Sequence, residues 1–197
     1  MDCTPRRADA KTEDRTIEAA LRLSRDAPEA STLLILLSMD VDNASIALRL
    51  FETFKAAAHT DTAAIREMMC HASCFVCAAR RVGRLVETIS RTRSCLMPKV
   101  ADVVKQEWSK KKAFFEEFIE PRNAIEHIDG EAKNRTSPRT FSLMNDRFEV
   151  ANGKSVTINR EALTKITEPL DRIVEAILRD YHDPAARPSP GTRRGSG

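Results

Sequence analysis

The spacing of apolar residues along the chain predicts a protein built mainly from helices. Apolar side chains recur three and four residues apart in five stretches, as they do on one face of an α-helix. The expected helices cover residues 13–26, about 28–58, 62–92, 99–129 and 160–181. The predicted fold is mainly α, an up-and-down bundle of four to five long helices.

The first two helices can be described in more detail from their patterns. Ile17, Leu21 and Leu23 fall on one side of the first helix, which we expect to be buried. Asp26 is the expected N-cap of the second helix, since a carboxylate there can accept from a free backbone N–H. That helix either runs on to about residue 58 or breaks at the polar residues near Asp42.

The third and fourth helices carry two unusual features. Residues 68–79 are apolar almost all round the third helix, which is typical of a central helix or of one shared with a partner chain. Pro121 lies inside the fourth helical stretch and predicts a kink or a restart, because proline removes a backbone hydrogen bond. A restart at Pro121 would leave the N–H groups of Arg122 and Asn123 free to favour anions. Gly130 is the expected end of this helix.

Alternating polar and apolar residues replace the helical pattern before the last helix. The alternation covers residues 140–151 and 155–159, with Asn152-Gly153 between them. This pattern predicts a small β-hairpin at about 140–159, inserted before the last helix. Residues 1–12 are expected to form a flexible arm and residues 182–197 a disordered tail, on either side of one helical domain at 13–181.

Composition restricts the class of protein further. The chain has 197 residues, 42% of them hydrophobic, which suffices for one buried core. No apolar segment is long enough to span a membrane and the N-terminus has no apolar leader region, so we expect a soluble, cytoplasmic protein. Five cysteines, an odd number, are expected to be reduced thiols rather than a disulfide framework.

Positive charge is concentrated in one segment. Residues 78–112 hold ten basic and three acidic side chains, a net +7, so the rest of the chain carries −4 of the total +3. A local basic field of this kind suits a phosphate-bearing partner such as RNA. The alternative is that these residues are simply the solvated faces of two helices.

Three cysteines lie close together in the third helix. Cys70, Cys74 and Cys77 are spaced by four and three residues, so they share one side of a helix, and we expect them to pack as small apolar core residues. The same spacing holds an iron–sulfur cluster in radical SAM enzymes, but the sequence does not predict the barrel on which those ligands lie. A metal site and redox sensing remain the alternatives.

A tryptophan stands among lysines in the fourth helix. Lys105, Lys110, Lys111 and Lys112 are candidate RNA-binding residues around Trp108. The tryptophan is either a stacking platform for a base or a core or interface residue, as a lone helical tryptophan more often is.

The segment from Arg122 to His127 combines an arginine and a histidine within one helical stretch. Arginine is a permanent planar cation that suits phosphate oxygens, and histidine can move a proton near neutral pH. On a helix, Asn123 and His127 lie on one side, as do Arg122 and Glu126. These groups are the minimum for cleavage in which the RNA 2′-hydroxyl attacks its own phosphate.

The same segment resembles the signature of the HEPN superfamily, which is an arginine, a polar residue, three to five further residues and a histidine. Arg122-Asn123-Ala124-Ile125-Glu126-His127 matches this pattern at its shortest spacing. The resemblance implies a helical homodimer with a composite cleft and endoribonuclease activity that needs no metal or other cofactor. It also implies that Arg122 and His127 are catalytic, with Asn123 holding the geometry.

The resemblance carries implications for biology as well. Many HEPN proteins are toxins or antiviral defence proteins, some with an antitoxin partner. In one group the antitoxin modifies a tyrosine two residues after the histidine, where this chain has Asp129. Two other interpretations stay open: a non-catalytic module that binds RNA, a nucleotide or a protein, and a purely structural Arg122 paired with Glu126 or Asp129.

Overall fold

The chain forms a helical bundle with a small antiparallel sheet. This computed structural model describes residues 8–58, 61–92, 96–134, 141–144, 146–150 and 153–181, and the side chains of these residues except at 8–13, 127–134, 141 and 144. Within them the elements are, in order, α1 (Ala8–Ser24), α2 (Pro28–Ala57), α3 (Thr62–Arg91), α4 (Pro98–Glu116), α5 (Ile119–Asn134), β1 (Phe141–Met144), β2 (Arg147–Val150), β3 (Ser155–Thr157) and α6 (Arg160–Asp180). The prediction of a mainly helical bundle with a β insertion before the last helix is confirmed.

Helix α3 is the centre of the bundle. It packs against α2, α4, α5 and α6. Its apolar middle supplies fully buried side chains, namely Ala72, Phe75, Val76, Ala78 and Ala79. The central position predicted for this helix is therefore confirmed, and Asp61 caps it by accepting from the N–H of Ala63 at 2.8 Å.

Helix α2 is continuous and forms the largest helix pair with α3. Its buried residues alternate in steps of three and four, namely Ala30, Leu34, Leu37, Val41, Ala44, Leu48 and Phe51. Asp42 is exposed, so its charge does not interrupt the packed face. The N-cap is Ala27 rather than the predicted Asp26.

Helix α1 differs from its prediction in both length and orientation. It begins at Ala8, inside the predicted arm, and it exposes Ile17 and Leu21 at 57% and 64%. Only Leu23 of the predicted buried set is buried. The packed face consists mainly of small residues, which bring α1 close enough to α2 for the Ser31 hydroxyl to donate to the carbonyl of Ala20 at 2.7 Å.

The fourth helical stretch is broken before Pro121, not at it. Helix α4 ends at Glu116 and α5 begins at Ile119, so Pro121 is the third residue of α5. A proline ring clashes with the carbonyl four residues earlier, here that of Glu117, which places the break ahead of the proline. The N–H of Arg122 donates to the carbonyl of Phe118 at 3.1 Å, so the expected free N–H group at Arg122 is wrong.

The end of α5 and the strands also refine the predictions. Helix α5 continues to Asn134, so Gly130 does not end it. The strands form an antiparallel sheet in the order β1-β2-β3, because the first alternating run folds back on itself. Gly153 has a φ of 77°, which fits the turn predicted there, whereas Asn152 lies outside the described residues.

The last helix closes the bundle. Asn159 caps α6 by accepting from the N–H of Ala162 at 2.8 Å. At the other end the hydroxyl of Tyr181 accepts from the N–H of Met97 at 2.9 Å, and Arg22 donates to the carbonyl of Tyr181 at 2.7 Å. In the part of the chain that the structure describes, no helix has the length and apolar character to cross a membrane.

Candidate functional site

Helix α5 holds Arg122 at the edge of the core. One side of the helix is buried through Pro121 and Ala124 and packs on α3 and β2. Phe118, just before the helix, is 1% exposed and its ring lies 6.4 Å from that of Phe75. These anchors leave the Arg122 side chain about one third exposed, at 31%.

The side chain of Arg122 contacts two residues of its own helix. Its guanidinium forms an ion pair with Glu126, one turn later. Its Nη1 lies 3.5 Å from Oδ1 of Asn123, at the limit of a hydrogen bond. The pairing with Glu126 that the structural interpretation expected is therefore present.

The positive charges of Arg84 and Arg122 both act on Arg80 of α3. Burial and the charges of Arg84 and Arg122 lower the pKa of Arg80, while Glu87 and Glu116 act in the opposite direction. We call Arg80, Arg84 and Arg122 the arginine cluster. Guanidinium groups that repel one another in a partly desolvated place are stabilised when a phosphate or another anion binds between them.

His127 is carried by α5, one turn after Asn123. Its side chain lies outside the described residues, as does that of Asp129. The helical backbone places Asn123 and His127 four residues apart and so on the same side of α5. That the imidazole of His127 lies close to the Arg122 guanidinium remains a prediction.

The cysteines are not core residues, contrary to the prediction. Cys70 and Cys74 are exposed and Cys77 is half-buried. Burial and the Glu126 carboxylate raise the pKa of the Cys77 thiol, against the opposing charges of Arg81 and Arg122. Among the described residues no three His, Cys, Asp or Glu side chains are grouped so that they could hold a metal ion. The thiols thus lie along one side of α3, and the half-buried Cys77 is the one that interacts with charges of α5.

The four predicted RNA-binding lysines all lie on α4, and two of them, Lys110 and Lys111, face α6. Lys110 donates to Glu107 at 3.1 Å, Lys111 forms an ion pair with Glu168 of α6, and Lys112 lies 3.7 Å from Glu116. Lys105 is exposed, and Trp108 is half-buried and packs against the core rather than standing free as a platform.

A cavity of about 340 Å³ separates α4 from the start of α6. Lys110, Lys111, Phe114 and Lys165 line it, and we call it the Phe114 cavity. The ammonium of Lys165 lies 5.8 Å from the centre of the Phe114 ring, within reach of a cation–π contact. The cavity combines an aromatic face with three cations and with the carboxylates of Glu117 and Glu161. An aromatic face beside cations also occurs in sites for single-stranded nucleic acid.

Sequence reasoning missed the partners of Arg122 and the role of Phe114. Arg80 and Arg84 were visible only as part of the basic segment, although their spacing of four residues already placed them on one face of α3. Apolar spacing alone places Phe114 among the apolar residues of its helix, and a 3.6-residue pattern does not show that it lies beside a cavity.

Comparisons of the chain with protein-family models, with curated proteins and with solved structures find no match.

Proposed function

We propose that this protein is a HEPN-like, metal-independent endoribonuclease that acts as a homodimer. The observation that supports the proposal best is the arginine cluster, in which Arg122 of the predicted motif and Arg84 both add positive charge at Arg80 of α3. A phosphodiester is an anion with several oxygens, and guanidinium groups bind such oxygens in pairs. The motif and the cluster thus point to the same substrate group.

The proposed reaction is an internal transfer. The 2′-oxygen forms a bond to phosphorus while the bond from phosphorus to the 5′-oxygen breaks. His127 accepts the proton of the 2′-hydroxyl, and the 5′-oxygen takes a proton from an acid, for which a partner chain can supply a second histidine. Arg122 stabilises the charge that develops on the phosphate, with Asn123 beside it. The products are a 2′,3′-cyclic phosphate and a 5′-hydroxyl.

The lysines of α4 would hold the rest of the RNA strand. Lys110 and Lys111 line the Phe114 cavity, where one base would stack on the ring. Lys105 and Lys112 are exposed on the same helix and would contact phosphates. The ion pair of Lys112 with Glu116 is exposed and therefore weak, so it can be exchanged for a phosphate contact.

One observation favours a second candidate, a module that binds RNA without cleaving it. The ion pair of Arg122 with Glu126 places a negative charge where a phosphate would bind. In such a module Arg122 would have a structural role, and the lysines alone would bind RNA. RNA binding that weakens steeply with salt, without any cleaved product, selects this candidate.

The test is cleavage of mixed RNAs in excess chelator by the parent and by His127→Ala. The proposal predicts fragments with 2′,3′-cyclic phosphate ends from the parent and a rate lower by about 10²–10⁴ in the variant. His71→Ala is the matched control. His71 lies in α3, where its ring stacks on that of Phe54 of α2 with the ring centres 5.5 Å apart, and it should have no catalytic role. Equal rates for the parent and His127→Ala would reject the mechanism.

A further inference from the structure

Glu107 of α4 is a buried acid, and only one of its two carboxylate oxygens has a hydrogen-bond partner among the described residues. The residue is only 5% exposed. One carboxylate oxygen accepts from the ammonium of Lys110 at 3.1 Å, whereas the other, Oε2, has no hydrogen-bond partner among the described residues. A buried carboxylate oxygen without a donor is costly, so it favours any ligand that brings an N–H group.

This carboxylate lies at a groove between α4 and α6. The groove has a volume of about 250 Å³, and we call it the Glu107 groove. Val103 and Ala176 are the apolar residues of its lining, and the other charged side chains along it are Lys110, Arg172, Glu175 and Arg179. Arg172 lies 3.6 Å from Glu175 in an exposed pair, and Arg179 lies 3.2 Å from Asp180, whose side chain is only 11% exposed.

The Glu107 carboxylate and the two arginines of the groove favour different groups on a ligand. An ionised carboxylate can only accept hydrogen bonds, so Oε2 selects a donor. Arg172 and Arg179 are permanent cations whose planar donors suit phosphate. The apolar side chains of Val103 and Ala176 suit a flat, weakly polar ring. A nucleotide whose base has an exocyclic amine offers all three.

We propose that the Glu107 groove binds a nucleotide unit and selects its base through the exocyclic amine. The amine of adenine or cytosine donates to Oε2 of Glu107, and the phosphate binds Arg172 or Arg179. Uracil is disfavoured, because it has a carbonyl oxygen where cytosine has the amine, and two acceptors then face each other.

The unit can come from a free nucleotide or from an RNA strand. Lys110 lines both the Glu107 groove and the Phe114 cavity, so one strand can occupy the two in succession. For the RNA source the inference rests on the proposed RNA substrate, but neither source requires that cleavage occurs.

The test uses a ligand pair that differs only in the amine, AMP and purine riboside 5′-monophosphate, titrated into the full-length protein by calorimetry. The parent is expected to bind AMP at least about tenfold more tightly, as a hydrogen bond to a charged group predicts. Equal affinity overturns the proposal without reference to any variant.

Two variants locate the effect. In Glu107→Gln the Lys110 ammonium keeps the amide oxygen, so an NH₂ group faces the groove and the preference for AMP should disappear. Arg179→Ala should weaken both ligands by a similar factor and leave their ratio unchanged. Thermal unfolding monitors the fold of each variant. A preference for AMP that survives in folded Glu107→Gln rejects the role of Glu107.

Oligonucleotides distinguish the two sources. If neither mononucleotide binds measurably, oligoadenylate should bind the parent about tenfold more tightly than oligouridylate, and Glu107→Gln should abolish the difference. Equal binding of the two oligonucleotides overturns the proposal. These affinities are measured with His127→Ala protein, so the result is independent of whether the parent cleaves RNA.

Discussion

At the scale of single residues, two anions would compete for Arg122, namely the Glu126 carboxylate and a phosphate of the substrate. Its present partner is Glu126, four residues away on a partly exposed helix, and such pairs contribute only about 0.3–0.5 kcal/mol. A phosphate brings more oxygens and also interacts with the charges of Arg80 and Arg84. We therefore expect phosphate to displace Glu126 from Arg122, so that Glu126 would act mainly as a competitor of the substrate.

The competition gives a prediction for Glu126→Gln. Removing the carboxylate frees Arg122 and lowers the negative charge at the cluster, so affinity for RNA should rise, by up to about fivefold. The measurement is RNA binding by fluorescence anisotropy at one fixed salt concentration. Glu52→Gln is the control, because it removes the same charge and breaks a comparable pair with Arg160 at 3.1 Å, and it should change affinity less.

A loss of affinity in Glu126→Gln, with Glu52→Gln unchanged, would contradict this interpretation. It would mean that the ion pair positions Arg122 for its ligand instead of competing with that ligand.

The Arg122 motif could be found from the sequence because its members are neighbours on one helix. Arg80 and Arg84 could not be assigned to it, since about forty residues separate them from Arg122 and only the packing of α5 on α3 unites them. The cysteines were misplaced for a related reason. Spacing shows that three residues share a side of a helix, but not whether another helix covers that side.

At the scale of elements, α3 and α6 were predictable because caps and apolar spacing agree there. Asp61 caps the N-terminus of α3 and Asn159 that of α6, and aspartate and asparagine are preferred N-cap residues. Helix α1 was misjudged because its packed face is made of small residues, including Ala19 and Ala20, which add little to an apolar pattern. The break between α4 and α5 was misplaced because proline acts on the turn before it.

The close approach of α3 and α4 gives a prediction for Gly83→Ala. A Cβ atom at Gly83 would lie 2.7 Å from the Phe115 side chain, which is fully buried. Overpacking of this kind costs about 1–3 kcal/mol. Alanine gains about 1 kcal/mol in helix propensity over glycine, so the net effect should be a loss of up to about 2 kcal/mol.

The free energy of unfolding in urea measures this loss. Thr88→Ala is the control, an exposed position in the same helix, and it should stay within about 0.5 kcal/mol of the parent. Gly83→Ala protein that is as stable as the parent would show that the two helices can separate without cost.

At the scale of the whole molecule, positive charge forms two separate sites. The arginine cluster lies between α3 and α5, and the Phe114 cavity and Glu107 groove lie between α4 and α6. We infer that RNA is held at the second site while its scissile phosphate lies at the first. A second copy of the chain would complete the cleft by bringing a second Arg122 and His127.

The rate of cleavage of one labelled RNA by Arg122→Ala tests the central claim most directly. The measurement is made under single-turnover conditions in excess chelator, beside the parent and Arg49→Ala, which removes an exposed arginine of α2. The account predicts that Arg122→Ala lowers the rate by about 10²–10³, as loss of a group that stabilises transition-state charge does, while Arg49→Ala retains the parent rate. Cleavage by folded Arg122→Ala at the rate of the parent would contradict the account.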